Sequence, residues 1–176
     1  MTYIILLRGI NVGGKNSVSM ATLKEVLLGM GCEQVTTYIN SGNVILQDNR
    51  DVEALHEAIE SALHTAFGFE IKTLVIPKQT FDHVAAALPQ SWRNDDTMRC
   101  DVLFLWKDKN TAAVLDMLPA VNGVDTVKYV DGAVLWCVPR KDITRSGLRK
   151  LIGTEVYRHM TARNCNTVRT LAEMAR

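Results

Sequence analysis

No apolar run in this 176-residue sequence approaches membrane-spanning length. Its apolar opening, Tyr3 to Leu7, has no basic segment before it, is too short for the core of a signal peptide and runs straight into Arg8. The expectation is therefore a protein that neither spans a membrane nor is exported. The four cysteines, Cys32, Cys100, Cys137 and Cys165, stand singly, and none forms a Cys-x-x-Cys pair. In a chain large enough to fold without staples, they read as reduced, structural thiols in the cytoplasm. His56, His64, His83 and His159 are too scattered to form a ligand set, so no metal site is expected. No serine or cysteine sits in a nucleophile-elbow context, nucleophilic catalysis has no positive sign, and no cofactor is expected.

What is present is ordinary for a folded domain: 47% apolar and 22% charged residues, close to globular averages and far from disordered or fibrous compositions. The net charge of +1 hides an asymmetry. From Pro139 onward nine Lys or Arg face Asp142, Glu155 and Glu173, a balance of +6, while the remainder carries −5. Either the C-terminal end meets something anionic, or its arginines pair with the acidic first part.

Periodicity and punctuation order the chain. Tyr3 to Leu7 reads as a buried strand ending at a Gly-rich loop. A helix follows from Met20 to Met30, with Ser19 as cap, Leu23, Val26 and Leu27 on one face, and Gly31 as stop. Val35 to Ile39 and Val44 to Leu46 are strands joined by the turn-forming Asn40 to Asn43. Asp51 caps a helix to Ala66, with Leu55, Ile59, Ala62 and Leu63 at helical spacing, and Phe69 to Ile76 is the next strand. The order βαββαβ is that of a split-βαβ, ferredoxin-like unit. After a helix at Gln79 to Leu88 and a polar stretch to Arg99, the pattern repeats. Val102 to Trp106 is a strand, Asn110 to Leu118 a helix, and Thr126 to Val130 with Ala133 to Val138 a hairpin about Asp131 and Gly132. Helices at Ile143 to Ile152 and Asn166 to Met174 fill the rest. The expected fold is α+β, two ferredoxin-like halves related by internal duplication, the second lacking its last strand. The expected divisions are residues 1–77, a connecting helix and loop at 78–99, and residues 100–176.

In a split-βαβ sheet the first and third strands are antiparallel neighbours. The loop from Arg8 to Ser17 and the turn Ser41-Gly42-Asn43 should therefore share one sheet edge, with Ser19 near them. Gly9 to Lys15 nearly spells a phosphate-binding P-loop, but Asn16 stands where Ser or Thr should hold magnesium, and Val18 and Ser19 separate Lys15 from the helix. A milder reading keeps Gly13 and Gly14 as a backbone able to present N–H groups and Arg8 and Lys15 as positive charge near a helix start. Against it stands a purely structural loop in which Asn11 and Asn16 bond their own backbone. Arg163, Asn164 and Thr167 read as a polar helix start with Asn164 or Asn166 as cap, and Arg163 is a second candidate for an anion. His56, Glu60 and His64 form a polar helix face. Trp106 and Trp136 are packing residues of the second sheet.

The string Leu7-Arg8-Gly9-Ile10-Asn11-Val12-Gly13-Gly14-Lys15-Asn16, then Met20, Leu23 and Gly31, then Thr37-Tyr38-Ile39-Asn40-Ser41-Gly42-Asn43-Val44, resembles the signature of domain-of-unknown-function family 1697. Met160 to Thr167 fits the same family's closing pattern. The resemblance implies two ferredoxin-like halves and a bacterial cytoplasmic setting. It implies no activity, ligand or catalytic residue.

Three functions stand open. The first is a binding module for a nucleotide or nucleic-acid phosphate, held by Arg8, Asn11, Gly13, Gly14, Lys15, Asn16, Ser41 and Asn43, with Arg163 and Asn164 as further candidates. The second is an enzyme that uses the same residues as an electrostatic clamp on a phosphorylated metabolite. The third is a scaffold whose motif residues only hold the chain together. Oligomeric state is not legible.

Overall fold

A computed structural model describes all 176 residues. It resolves into two compact units, Met1–Phe81 with Glu173–Arg176, and Asp82–Ala172. No helix is long and apolar enough to cross a membrane.

The first unit contains β1 (Thr2–Leu7), α1 (Met20–Gly29), β2 (Glu33–Tyr38), β3 (Asn43–Gln47), α2 (Val52–Phe67) and β4 (Thr73–Pro77), followed by α3 (Lys78–Ala87). Its sheet is antiparallel with order β2-β3-β1-β4. β1 lies centrally, which is why it is a continuous apolar run rather than an alternating one; Tyr3 to Leu7 are all buried. Ser19 Oγ accepts from Thr22 N at the start of α1. Asp51 caps α2 by accepting from Ala54 N at 2.9 Å, and Gly68, at φ 77°, closes it in the left-handed conformation that a Cβ disfavours. Leu23 and Leu27 from α1 and Leu55, Ile59 and Leu63 from α2 pack on Tyr3, Ile5 and Leu7. Each such side chain contributes about 1.5–3 kcal/mol when fully buried.

The second unit contains β5 (Met98–Leu105), β6 (Thr126–Val130), β7 (Ala133–Pro139), α4 (Leu148–Leu151), β8 (Met160–Asn164) and α5 (Cys165–Met174), whose last residues count with the first unit. Its sheet is antiparallel with order β6-β7-β5-β8. Leu103, Leu105, Val134, Trp136 and Met160 meet Val114, Leu118, Leu148 and Leu151 in its core.

Four expectations are corrected. The second half does not lack its last strand, because Met160–Asn164 pairs with β5 from Asp101↔Asn164 to Leu105↔Met160. Its buried Arg163 breaks the apolar pattern that marks other strands, although a backbone ladder needs no apolar side chain. The helix expected at 110–118 is a 3-10 stretch, Ala112–Met117, preceded by a separate 3-10 turn at Lys107–Lys109, and it stops where Leu118 is extended before Pro119. Of the helix expected at 143–152 only Leu148–Leu151 is α-helical, the preceding segment being captured by Asp125. Finally, Cys100 and Cys137 are not free thiols. They face each other across β5 and β7 and are joined in a disulfide, while Cys32 and Cys165 are free and buried. Smaller shifts follow from side-chain packing: β4 starts at Thr73 rather than Phe69, with Phe69 packed beside Phe67.

Candidate functional site

Antiparallel pairing of β1 with β3 puts the loop after β1 beside the turn before β3, and the two touch. Leu7 N donates to Gly42 O at 2.8 Å. Gly42 sits at φ 79°, and a Cβ there would lie 2.6 Å from Leu7 Cβ and 2.8 Å from Ile10 Cδ1, so this contact depends on glycine. On the other side Arg8 N donates to Lys72 O at 2.9 Å, bringing the lead-in to β4 to the same edge.

The loop itself is a miniature hairpin. Asn11 N donates to Asn16 O at 3.0 Å, Lys15 N to Val12 O at 3.1 Å, and Val12 bridges Lys15 in antiparallel fashion. Its two tip residues, Gly13 and Gly14, have φ of 58° and 73°, the positive pair that a two-residue type I′ turn requires. Gly9 to Lys15 therefore makes a tight turn in place of the open phosphate cradle of a nucleotidase, in line with the missing Ser or Thr at Asn16.

Asparagines lock this hairpin down. Asn11, itself at φ 53°, donates through Nδ2 to Asn40 O at 2.8 Å and Val18 O at 3.0 Å, and its Oδ1 accepts from Val18 N at 2.8 Å. Asn16, at φ 52°, donates to Gly9 O at 3.1 Å. Asn43 is fully buried and donates to Tyr38 O at 3.0 Å and Ser41 Oγ at 2.9 Å. The hairpin is thus fixed at its base while Asn11 through Ser17 all stand exposed, Val12 to 68%. Lys15 projects from it, and Arg8 lies half-buried at its root.

Arg163 and Asn164 belong to the second unit. Arg163 Nη1 donates to Thr161 Oγ1 at 3.0 Å and Ala162 O at 2.8 Å, and burial pushes its pKa down to about 10. Asn164 Oδ1 accepts from Thr167 N at 2.9 Å and caps α5, as the sequence suggests.

Several residues escaped the sequence reading. Lys72 was one, because its place beside Arg8 comes only from β1–β4 pairing. Ile39 was another: it is 49% exposed and holds φ 50°, which a β-branched residue adopts at a cost of about 1–2 kcal/mol. Glu60, read as part of a solvated face, accepts from Thr73 N at 2.7 Å and lies 3.1 Å from His56 Nε2. Elsewhere in the first unit, Asp48 is held by Arg50, accepting from its Nε at 2.8 Å, and by Cys32 Sγ at 3.3 Å. The Arg50 contacts outweigh burial and hold the Asp48 carboxyl well below the usual range, whereas burial and Asp48 push Cys32 up to about 12. That thiol is inert. The second unit's counterpart anchor is Asp125. Burial opposes its ionisation, but hydrogen bonds from Ser146 Oγ, Val121 N at 2.8 Å, Gly147 N at 2.9 Å and Trp136 Nε1 at 3.1 Å prevail and lower its pKa.

The fold and the site together define a mixed α+β protein of two four-stranded antiparallel sheets, with an exposed, asparagine-clamped Gly-Gly hairpin at one sheet edge. The chain belongs to the family described as Protein of unknown function (DUF1697), whose profile matches residues 1–136. A solved structure of the conserved bacterial protein SP0830 from Streptococcus pneumoniae is similar throughout. It has 28% identity and a TM-score of 0.83, covering 99% of this chain and 98% of that one. No curated protein matches.

Proposed function

We propose that the protein is a binding module for an anionic ligand, the phosphate of a nucleotide or of nucleic acid, seated at the edge formed by the 8–17 loop and the 40–43 turn. The observation that carries this reading is a hairpin rigidly clamped at its base yet packed on nothing at its tip, with Lys15 displayed beside the N–H groups of Gly13 and Gly14. A preordered loop gives up little entropy on binding, and lysine with main-chain N–H groups is the donor set that phosphate takes. Roles divide accordingly. Arg8, Lys15, Gly13 and Gly14 contact the ligand, while Asn11, Asn16, Ser41 and Asn43 position the loop. Arg163 and Asn164 stay outside the contact set, because both bond within their own strand and helix.

A cytoplasmic setting and two ferredoxin-like halves related by duplication, divided at 1–77, 78–99 and 100–176, complete the reading. The duplication is supported by the matching sheet orders, in which β1 and β5 lie between strands of corresponding rank. An enzyme acting on a phosphorylated metabolite would use the same contacts.

The test is a thermal-shift screen of nucleotides, phosphorylated metabolites and short oligonucleotides, since a ligand that binds only the native state raises its melting point. A hit is then titrated against wild type and Lys15→Ala. Loss of one charge-assisted contact predicts a tenfold to hundredfold weaker affinity, about 1.5–3 kcal/mol. Equal affinities would refute the site.

A further inference from the structure

The positive balance of the C-terminal third concentrates in one place. Five of the eleven residues from Arg140 to Lys150 are Lys or Arg, and only Asp142 is acidic. The segment runs from β7 through a 3-10 turn, Arg140–Asp142, into α4, with αR conformations at Ile143, Gly147 and Ile152. Its apolar side is spent inward. Leu148 and Leu151 join the second unit's core, and Ser146 and Gly147 are buried.

The backbone is held with unusual economy by one carboxylate. Asp125 accepts from both Ser146 Oγ and Gly147 N, and through its other bonds ties the segment to Trp136 and Val121. A Cβ on Gly147 would lie 1.6 Å from Pro119 O, so only glycine lets the segment sit this close. Two of the cations serve the fold: Arg140 donates to Asp95 O at 2.9 Å, and Arg145 pairs with Asp142 at 3.2 Å. Lys141, Arg149 and Lys150 are exposed and belong to none of the unit's ion pairs.

We propose that Lys141, Arg149 and Lys150, displayed on the 140–152 segment that Asp125 pins to the second sheet, form a docking surface for the sugar-phosphate backbone of nucleic acid. Charge complementarity selects this partner. A protein partner would want an aromatic or apolar anchor and few lysines, and a bilayer surface would want a broad apolar face. Within the segment Leu148 and Leu151 are consumed by the core, which leaves Ile152, 71% exposed, as its exposed large apolar side chain, with Met117 at 50% the other in this unit. Point charges on a fixed backbone suit a polyphosphate, which they engage without reading sequence. This surface rests on observations independent of the Gly-Gly hairpin, so either can fail alone.

Fluorescence anisotropy with a labelled 20-base-pair DNA duplex and a 20-nucleotide RNA, from 50 to 200 mM salt, tests it. Lys141→Gln/Arg149→Gln/Lys150→Gln is compared with a control, Lys24→Gln/Lys128→Gln/Arg176→Gln, that removes the same charge from other exposed positions. All three proteins should melt alike. Wild type and control should bind with strong salt dependence. The segment variant should bind at least tenfold more weakly at 50 mM salt, its log–log salt slope on duplex shallower by about 2–3, at roughly 0.9 per lost phosphate contact. No binding by wild type, equal loss in the control, or binding to phosphatidylserine vesicles that the oligonucleotides do not displace would each overturn the proposal.

Discussion

The two units treat the same place in the fold differently. In each, the residue at the end of the central strand donates to the glycine carbonyl at the tip of the adjacent hairpin: Leu7 N to Gly42 O at 2.8 Å, and Leu105 N to Gly132 O at 2.9 Å. In each, an asparagine from the following loop ties that loop to the hairpin. Asn11 reaches Asn40 O, while Asn110 accepts from Gly132 N at 2.7 Å and Tyr129 Oη at 3.1 Å and donates to Asp131 Oδ1 at 2.8 Å. The surroundings then diverge. The first loop is an exposed Gly-Gly hairpin with Lys15 and Arg8, whereas the second is a short 3-10 turn whose Asp108 is paired with His159 at 2.6 Å. In both units an asparagine joins the loop to the hairpin; lysines stand in both loops, Lys15 in the first and Lys107 and Lys109 in the second, and what is special to the first is the Gly-Gly hairpin.

The sharpest way to break the comparison is at the glycines. Gly42→Ala should cost about 2–5 kcal/mol, combining a left-handed Cβ, about 1–2 kcal/mol, with overpacking against Leu7 and Ile10, about 1–3 kcal/mol. Gly132→Ala, at φ 92°, carries a backbone cost of about 1–2 kcal/mol. Urea midpoints for the pair would show whether the first clamp is the tighter.

Asn11→Ala and Asn110→Ala should each cost about 1–3 kcal/mol, at 0.5–1.5 kcal/mol per net hydrogen bond with solvent replacing part of it. If Asn11→Ala leaves the urea midpoint unchanged while Asn110→Ala lowers it, the clamps are not equivalent and Asn11 belongs with the contact residues.

The buried anchors supply a pH contrast. Asp48 has a folded-state pKa below its unfolded value, so its contribution is present above about pH 4, the ordinary carboxylate range, and is lost as pH falls below it. Asp48→Asn should flatten the fall in urea midpoint between pH 5 and pH 3, at a lower midpoint throughout; an unchanged fall would remove Asp48 as its source. Smallest of all on stability is Lys15→Ala, expected within about 0.5 kcal/mol of wild type, because the side chain is exposed on a turn.

Much of the first unit was legible because its signals agree. A central strand reads as an unbroken apolar run, Asp51 and Gly68 bracket α2, and antiparallel pairing of β1 with β3 brings Arg8 and Ser41 to one edge. The second unit was harder where polar side chains occupy buried strand positions, as Arg163 does in β8, and where Pro119 and Gly147 replace helix with tight turns. The Asp125 and Asp48 anchors were invisible for a different reason. Each joins residues from separated segments, and no local spacing records that Ser146 will meet Asp125 or that Cys32 will meet Asp48.

The central claim is that the Gly-Gly hairpin meets phosphate. Its most direct test is amide NMR of the nitrogen-15-labelled protein titrated with ATP in the absence of magnesium. The account predicts saturable shifts concentrated at residues 8–17 and 40–43, with Lys15→Ala needing tenfold to hundredfold more ATP to reach them while the remaining spectrum stays intact. Absence of shifts at these residues under saturating ATP, or the same titration midpoint in the Lys15→Ala protein, would contradict it.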